Sequence, residues 1–319
     1  MEIISNPTDV EIKKAAKALK DGHLVAFPTE TVYGLGADAT NERAVSRVYS
    51  VKGRPTDHPL IIHISSINQI YKWAVDIPDY AILLAKEFWP GPMTLILKRS
   101  NLAKHFITGG QECVGLRIPA HPVALALLSE FEKLGGNGIS APSANRFGAV
   151  SPTAAQHVIE DLGEFLAKGD MIIDGGKCLV GIESTIIDCT KKLVRILRPG
   201  SISPKNIETT AGIKIESEYS ISNIRYPGML RFHYSPRAQV VLDVPANLGE
   251  GFIAMANIPT PIGAIRLSSP NTVEQYAKEL YAALRFGDQR GITKIAIIQP
   301  KGSDLAESIR DRLGKAAQK

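Results

Sequence analysis

No run of apolar residues in this 319-residue sequence is long enough to cross a bilayer. The opening residues, Met1-Glu-Ile-Ile-Ser-Asn-Pro7, lack the basic start and long apolar run of a secretory signal. Cysteine is scarce. Cys113, Cys178 and Cys189 are far apart and odd in number, which fits neither a disulfide framework nor a zinc site and points to a reducing compartment. There is no basic tail, no internal repeat and no low-complexity segment. The phosphate-binding pattern G-x-x-x-x-G-K-[ST] is missing. Gly34-Leu-Gly36 superficially opens a dinucleotide fingerprint, but Pro28 to Tyr33 separate it from its strand and no helix starts at the second glycine. These absences predict a soluble cytoplasmic protein with no membrane partner and no bound metal of its own.

What is present is ordinary in amount: 44% hydrophobic and 22% charged residues, the balance of a globular protein. The length predicts two domains. A net charge of +5 mildly favours anionic partners. One local excess is Lys191, Lys192, Arg195, Arg198 and Lys205, with no acidic residue from 189 to 205.

Thr8-Asp-Val-Glu11 is a capping box opening a helix that Gly22 stops. A buried strand follows at 23–27, and Asn41 opens a helix that delivers the chain to Lys52. Strands are predicted at 60–64, 93–98, 115–119, 138–145, 171–174, 184–188 and 193–197. Helices are predicted around 66–75, 79–88 and 121–132, and from a Thr153 cap to Leu162. The alternation implies an α/β domain over 1–212 with a partly antiparallel sheet. Residues 213–237 read as a linker with no clear helix in 216–223. Tyr226, Met229, Phe232 and Tyr234 make it too hydrophobic for a solvated tether, so it should lie against something. A small Rossmann-like α/β domain is predicted over 238–319, with strands at 239–243, 252–256, 263–267 and 293–299. Its first helix is capped by Asn271 with Glu274 and faces inward through Val273, Tyr276, Ala277, Leu280 and Leu284; a final helix carries Leu305, Ile309 and Leu313.

Several polar turns follow strand ends, the usual place for a ligand in an open α/β sheet. Lys52-Gly-Arg54 is either a solvated loop or an anion grip in which the glycine lets the backbone approach closely. Thr29, Glu30, Thr31 and Tyr33 either hold a small ligand or close a turn on themselves. Arg117, entering an apolar strand, needs a carboxylate from the protein or from a ligand. His58 and His63 have no third metal ligand nearby and read as packed histidines. Ser140-Ala-Pro-Ser143-Ala-Asn145, Gly181-Ile-Glu183-Ser184-Thr185 and Arg198-Pro-Gly200-Ser201 repeat the same polar character. Together, cations and hydroxyls without a P-loop suit a triphosphate plus a small carboxylate-bearing substrate.

Pro28-Thr-Glu-Thr-Val-Tyr-Gly-Leu-Gly-Ala-Asp38, Lys52-Gly-Arg54-Pro, Ser140-Ala-Pro-Ser-Ala-Asn145, Gly181-Ile-Glu-Ser-Thr185 and Arg198-Pro-Gly200 occur in an order that resembles the YrdC/YciO family, specifically its long-form threonylcarbamoyl-AMP synthases. Pro227-Gly-Met with His233-Tyr234-Ser-Pro236 resembles the linker of that form. The resemblance implies a twisted mixed sheet with helices around a concave cavity. It implies that L-threonine, bicarbonate or CO2, and ATP give L-threonylcarbamoyl-AMP and pyrophosphate, with Mg²⁺ accompanying ATP and no organic cofactor. A downstream transferase complex would then modify tRNA. The family's catalytic tetrad falls on Lys52, Arg54, Ser143 and Asn145. Thr31, His63, Arg117, Ala141 and Ser184 are implied around threonine. Lys52, Arg54, His58, Cys113, Ser143, Ser151, Arg198 and Tyr234 are implied around ATP, Tyr234 reaching back from the linker as a cover. The competing reading is a double-stranded RNA or nucleotide-binding protein using the same basic cavity.

Overall fold

The computed structural model describes residues 1–215, 224–230 and 233–318, so the stretch 216–223 and Phe232 lie outside the described residues. The first domain is built on a ten-stranded mixed sheet. Its strands are β1 (Glu2–Ser5), β2 (Val25–Phe27), β3 (Gly34–Asp38), β4 (Ile61–His63), β5 (Met93–Lys98), β6 (Cys113–Arg117), β7 (Ile139–Ser140), β8 (Met171–Asp174), β9 (Thr185–Asp188) and β10 (Arg195–Arg198). They lie in the order β1-β8-β2-β3-β7-β4-β6-β5-β9-β10. Around them run α1 (Asp9–Lys20), α2 (Glu42–Lys52), α3 (Ile70–Trp73), α4 (Asp79–Phe88), α5 (His105–Thr108), α6 (Pro122–Lys133), α7 (Ala155–Leu162) and α8 (Pro204–Ala211). Among the described residues no helix is long and apolar enough to cross a membrane.

Local chemistry sets the helix starts. The Thr8 backbone N–H donates to the Glu11 carboxylate at 2.7 Å, and α1 then buries Ile12, Ala15, Ala16 and Leu19 against α6 and the sheet. Burying Leu19 alone contributes about 2 kcal/mol. At α2, Asn41 Oδ1 accepts the Ala44 N–H at 3.1 Å. The helix ends at Gly53 with φ of 63°, where a Cβ would stand 2.8 Å from the Arg146 guanidinium. Glycine is therefore required on two counts.

Pairing then brings distant residues together. Parallel β4 and β6 place His63 opposite Arg117, and an isolated bridge joins Gly34 to Ser143. The turns after β2 and β7, the ends of β4, β6 and β10, and the start of β9 meet at one region of the sheet.

The small domain has a parallel sheet in the order β11 (Gln239–Leu242), β14 (Lys294–Ile297), β12 (Gly251–Ile253), β13 (Ile265–Ser268), covered by α9 (Val273–Gln289) and α10 (Leu305–Ala316). Its core is not its own: Val32, Val150, Ile182 and Tyr234 pack into one cluster with Tyr276, Leu280, Tyr281 and Ile309. Helix α9 crosses Gly181 so closely that a Cβ there would stand 2.4 Å from the Lys278 backbone.

Four expectations are corrected. Gly34 to Asp38, absent from the predicted strands, form a central strand, because Gly36 fits a space whose Cβ would meet Ile139, Phe27 and the Val25 carbonyl at 2.9 Å. Helix α8 was not foreseen; Ser203 caps it through the Asn206 N–H at 3.2 Å. Thr153 does not cap α7, since Ala154 holds that position and the Thr153 N–H donates to His157 Nδ1. Thr272 rather than Asn271 caps α9: its hydroxyl accepts the Gln275 N–H, while the Asn271 N–H donates to the Gln275 side chain.

The described part of the linker lies against the first domain. Arg225 donates to the carbonyls of Asp57 and Gly109, its own N–H donates to Gln111, and the Ser235 N–H donates to Gly148.

Candidate active site

A cavity opens where those strand ends converge. Thr31, Arg54, His63, Arg117, Ala141, Ser143, Ser184, Arg198 and Tyr234, all anticipated from the sequence, are on its wall. Pro227, Gly228, His233 and Tyr234 bring the linker to the same wall.

Three cations define one side. Lys52, Arg54 and Arg198 are 2%, 7% and 3% exposed. Lys52 Nζ stands just behind the wall and donates to the Ser143 and Asn145 carbonyls, both at 2.5 Å. Arg54 Nη2 donates to the Pro59 carbonyl at 3.0 Å, and its guanidinium lies 5.6 Å from the Phe147 ring centre. Arg198 donates to the Ser184 carbonyl and hydroxyl and to the Pro227 carbonyl. No carboxylate among the described residues forms an ion pair with any of the three. Burial, and for Lys52 next the Arg54 charge, lowers their pKa values, Lys52 far and Arg54 to about 10. Buried positive charge held by carbonyl and hydroxyl dipoles without a directly paired carboxylate is costly until an anion arrives.

The other side is balanced. Arg117 Nη2 donates to Glu30 Oε1 at 2.7 Å, Nη1 to the Thr31 hydroxyl at 3.0 Å and Nε to the Gly91 carbonyl at 3.3 Å. Three of the five guanidinium N–H donors are thus used, which leaves two for a ligand. The second Glu30 oxygen accepts the Ala120 N–H. Thr29 closes the neighbouring turn, accepting the Thr31 and Val32 N–H groups and donating to the Val32 carbonyl.

His63 and His233 are both neutral at physiological pH. Burial, then Arg117 in the case of His63, pushes its pKa down to about 3; burial pushes that of His233 to about 3 as well. Each leaves Nδ1 buried without a partner among the described residues, as do the Asn145 side-chain oxygen and the Tyr234 hydroxyl. Buried orphans around one cavity are the mark of a site awaiting polar guests. Tyr234 also has φ of 62°, a left-handed conformation that costs a tyrosine on the order of 1 kcal/mol.

The remaining sequence candidates stand off the wall. Asn145 sits behind Ser143, its amide donating to the Ala149 carbonyl at 2.8 Å. His58 packs edge-on to Phe147 with ring centres 5.4 Å apart. Cys113 packs among Ile61, Ile96 and Ile186, and burial raises its thiol to about 11. Ser151 donates to Glu183 Oε1 at 2.6 Å.

Glu183, His233 and Gly228 were not singled out as site residues. Glu183 lies inside a recognised polar turn, and His233 adjoins Tyr234, so both carried a local signal. Gly228, at φ of 87°, admits the Tyr234 ring: a Cβ there would stand 2.4 Å from its hydroxyl.

Comparison with known proteins gives a match along the whole chain. A family model for Sua5, YciO and YrdC, described as telomere recombination, covers residues 17–200; one described as threonylcarbamoyl-AMP synthase, C-terminal domain, covers 202–318. The Pyrococcus abyssi threonylcarbamoyl-AMP synthase is 42% identical, with 96% of this chain and 94% of the relative aligned. That of Schizosaccharomyces pombe is 32% identical, with 99% and 90% aligned. The crystal structure of Pyrococcus abyssi Sua5 complexed with L-threonine superposes with a TM-score of 0.88 at 38% identity, covering 99% of this chain and 97% of that one. Escherichia coli YciO shares the fold of the first domain, at 22% identity and a TM-score of 0.55 over 65% of this chain and 98% of that one. From the two matched models and the end-to-end identity, this chain belongs to the Sua5/YciO/YrdC family, in the form that also carries the C-terminal domain of the threonylcarbamoyl-AMP synthases.

Proposed function

We propose that this protein is an L-threonylcarbamoyl-AMP synthase. The observation that carries the reading is a cavity with three buried cations lacking carboxylate partners, in a chain that aligns end to end with enzymes of that name.

In this reading the threonine amine takes up CO2, or bicarbonate with loss of water, to give a carbamate. A carbamate oxygen attacks the α-phosphorus of ATP, the bond to the β-phosphate oxygen breaks, and pyrophosphate leaves. The two spare N–H donors of Arg117 face the threonine carboxylate, with Thr31, His63, Ala141 and Ser184 around the rest of the amino acid. Neutral His63 offers a hydrogen bond without adding charge beside Arg117. Lys52, Arg54, Ser143 and Arg198 stabilise the carbamate, the phosphates and the charge that develops between them, while Asn145, His58, Cys113 and Ser151 support that wall from behind. Tyr234 covers the nucleotide. Catalysis rests on positioning and electrostatics rather than on a proton-transferring side chain. Mg²⁺ enters with ATP as part of the substrate. The product would pass, in the cytoplasm, to a transferase complex acting on the adenosine beside the tRNA anticodon.

The test is pyrophosphate release from ATP with each amino acid in turn, with and without bicarbonate. Release that requires threonine and rises with bicarbonate is expected. A signal indifferent to threonine, together with RNA binding that falls steeply with salt, would replace this reading with the nucleic-acid one.

A further inference from the structure

Glu183 belongs to the cavity wall, yet two of the three hydrogen bonds its carboxylate accepts come from the other domain. Ser151 donates to Oε1 at 2.6 Å, Tyr281 to Oε2 at 2.9 Å, and Arg312 Nε to Oε2 at 3.0 Å. Arg312 is 1% exposed and is held on every side: its Nη2 donates to the Pro199 carbonyl at 2.9 Å, and its Nη1 pairs with Asp311 at 2.7 Å. Its guanidinium also lies 5.5 Å from the centre of the Tyr234 ring, which stacks on Tyr281 at 5.8 Å and 22° and meets His233 edge-on at 4.1 Å. One turn earlier on α10, the Ser308 hydroxyl donates to the Gly200 carbonyl at 2.8 Å.

These contacts share a pattern. Glu183 and Pro199 are the chain neighbours of Ser184 and Arg198, two wall residues that are themselves joined by hydrogen bonds. Tyr234 is the linker's own wall residue. The small domain thus touches the site from behind, on the wall residues Glu183 and Tyr234 and on Pro199 beside Arg198.

We propose that Arg312 is a positioning residue for the active site of the first domain: it holds Glu183, Pro199 and the Tyr234 ring in place, so the nucleotide side of the cavity is completed by the docked small domain. The ligand assignment rests on the synthase reading; the geometry does not. The charges that face Glu183 are Arg312 and Arg198, with the hydroxyls of Ser151, Tyr281 and Tyr234 and the neutral His233 around it, and Asp311 behind Arg312 shared with Lys315. Burial works to raise the Glu183 pKa, but Arg312, Arg198 and the Ser151 hydrogen bond outweigh it and hold it at about 2. Without Arg312 the burial cost loses its largest opponent, with only Arg198 and the hydroxyl donors left against it, and the carboxylate takes up a proton at a higher pH. One oxygen then changes from acceptor to donor, and the Ser151 or Tyr281 hydroxyl must turn with it.

The experiment is steady-state kinetics and ATP titration calorimetry on the full chain across pH. For Arg312→Gln, KM for ATP should rise about tenfold while KM for threonine changes far less, and kcat/KM for ATP should acquire an acid limb that the parent protein lacks. Arg312→Gln with Glu183→Gln removes the stranded charge, so the acid limb should vanish while ATP affinity stays low. Arg312→Lys keeps the charge but cannot reach Glu183 and Pro199 together, and should restore the pH profile better than the affinity. Gln289→Ala, which breaks only an exposed contact to Glu160 across the same domain boundary, should change nothing.

A parental ATP dependence and pH profile in Arg312→Gln would overturn the proposal, as would an acid limb surviving in the double variant. If Arg312→Gln fails to fold, Tyr281→Phe tests the same point, keeping the ring on Tyr234 and removing one donor from Glu183; it should show a weaker acid limb, and its absence would count against us. A parent protein that binds ATP but shows no threonine-dependent turnover would sink the synthase reading alone, since the calorimetric comparison still reads Arg312. A parent protein that binds no ATP would sink both.

Discussion

Arg117, on the wall of the cavity, forms an ion pair of 2.7 Å with Glu30, each side chain only 6% exposed. The pair neutralises itself while the Thr31 hydroxyl and the Gly91 carbonyl fix the guanidinium plane. A fork held this way is oriented before any carboxylate reaches it. Arg117→Lys keeps the charge and loses the fork. Threonine affinity should fall about 10–100-fold, the worth of a charge-assisted pair of hydrogen bonds, with ATP affinity nearly unchanged. Calorimetric titration with each ligand checks this.

Lys52 ties two carbonyls of the 143–145 turn to the end of α2, and it also brings the site its least compensated charge. Lys52→Met removes both. Turnover should drop by about a hundredfold or more, with threonine binding retained within a few-fold, because the loss falls on phosphate and carbamate charge. Equal losses in threonine affinity and turnover would show that the residue serves the amino acid instead.

The Tyr234 hydroxyl is buried and has no hydrogen-bond partner among the described residues. Deleting it should therefore cost no stability, and Tyr234→Phe should melt at or slightly above the parent temperature. If the hydroxyl finds its partner on the nucleotide, KM for ATP should still rise several-fold. A fall in melting temperature with unchanged KM would contradict both parts.

Acid sensitivity should come in two steps. For His63 and His233 the folded pKa of about 3 lies below the unfolded value near 6.5, so the unfolded chain binds more protons between those limits. Stability falls as pH drops through that window, by up to ~1.4 kcal/mol per unit for each histidine. Glu183, held at about 2 against 4.5, adds its loss only below about pH 4.5. Urea unfolding at pH 7, 5.5 and 4 reads the first step, and His63→Gln should make it shallower while leaving the share that His233 carries.

Much of this was legible where the signal was local. The Thr8–Glu11 box, the Asn41 cap and the strand over 93–98 depend on residues a few positions apart, and all appear where the sequence puts them. The Asn271-for-Thr272 error is of the same kind, since both residues can cap and the choice turned on where the Gln275 side chain went. Gly34 to Asp38 failed for another reason: that strand is specified by neighbours on β2 and β7 that only the folded sheet supplies. The cations and hydroxyls of the wall were readable as types, but not their pairing. Nothing near Arg117 says that its partner is Glu30 rather than a ligand. Least visible was Glu183 with Arg312, 129 residues apart, one in a polar turn and the other on a helix that reads as ordinary amphipathic surface.

The apolar cluster that takes Val32, Val150 and Ile182 from the first domain and Tyr276, Leu280 and Ile309 from the second makes the two domains a single cooperative folding unit. Neither side can melt without uncovering the other's buried surface, so calorimetry should record one heat-absorption peak rather than two. A chain cut after residue 212 would expose that face to water beside the cavity and should self-associate where the full chain does not.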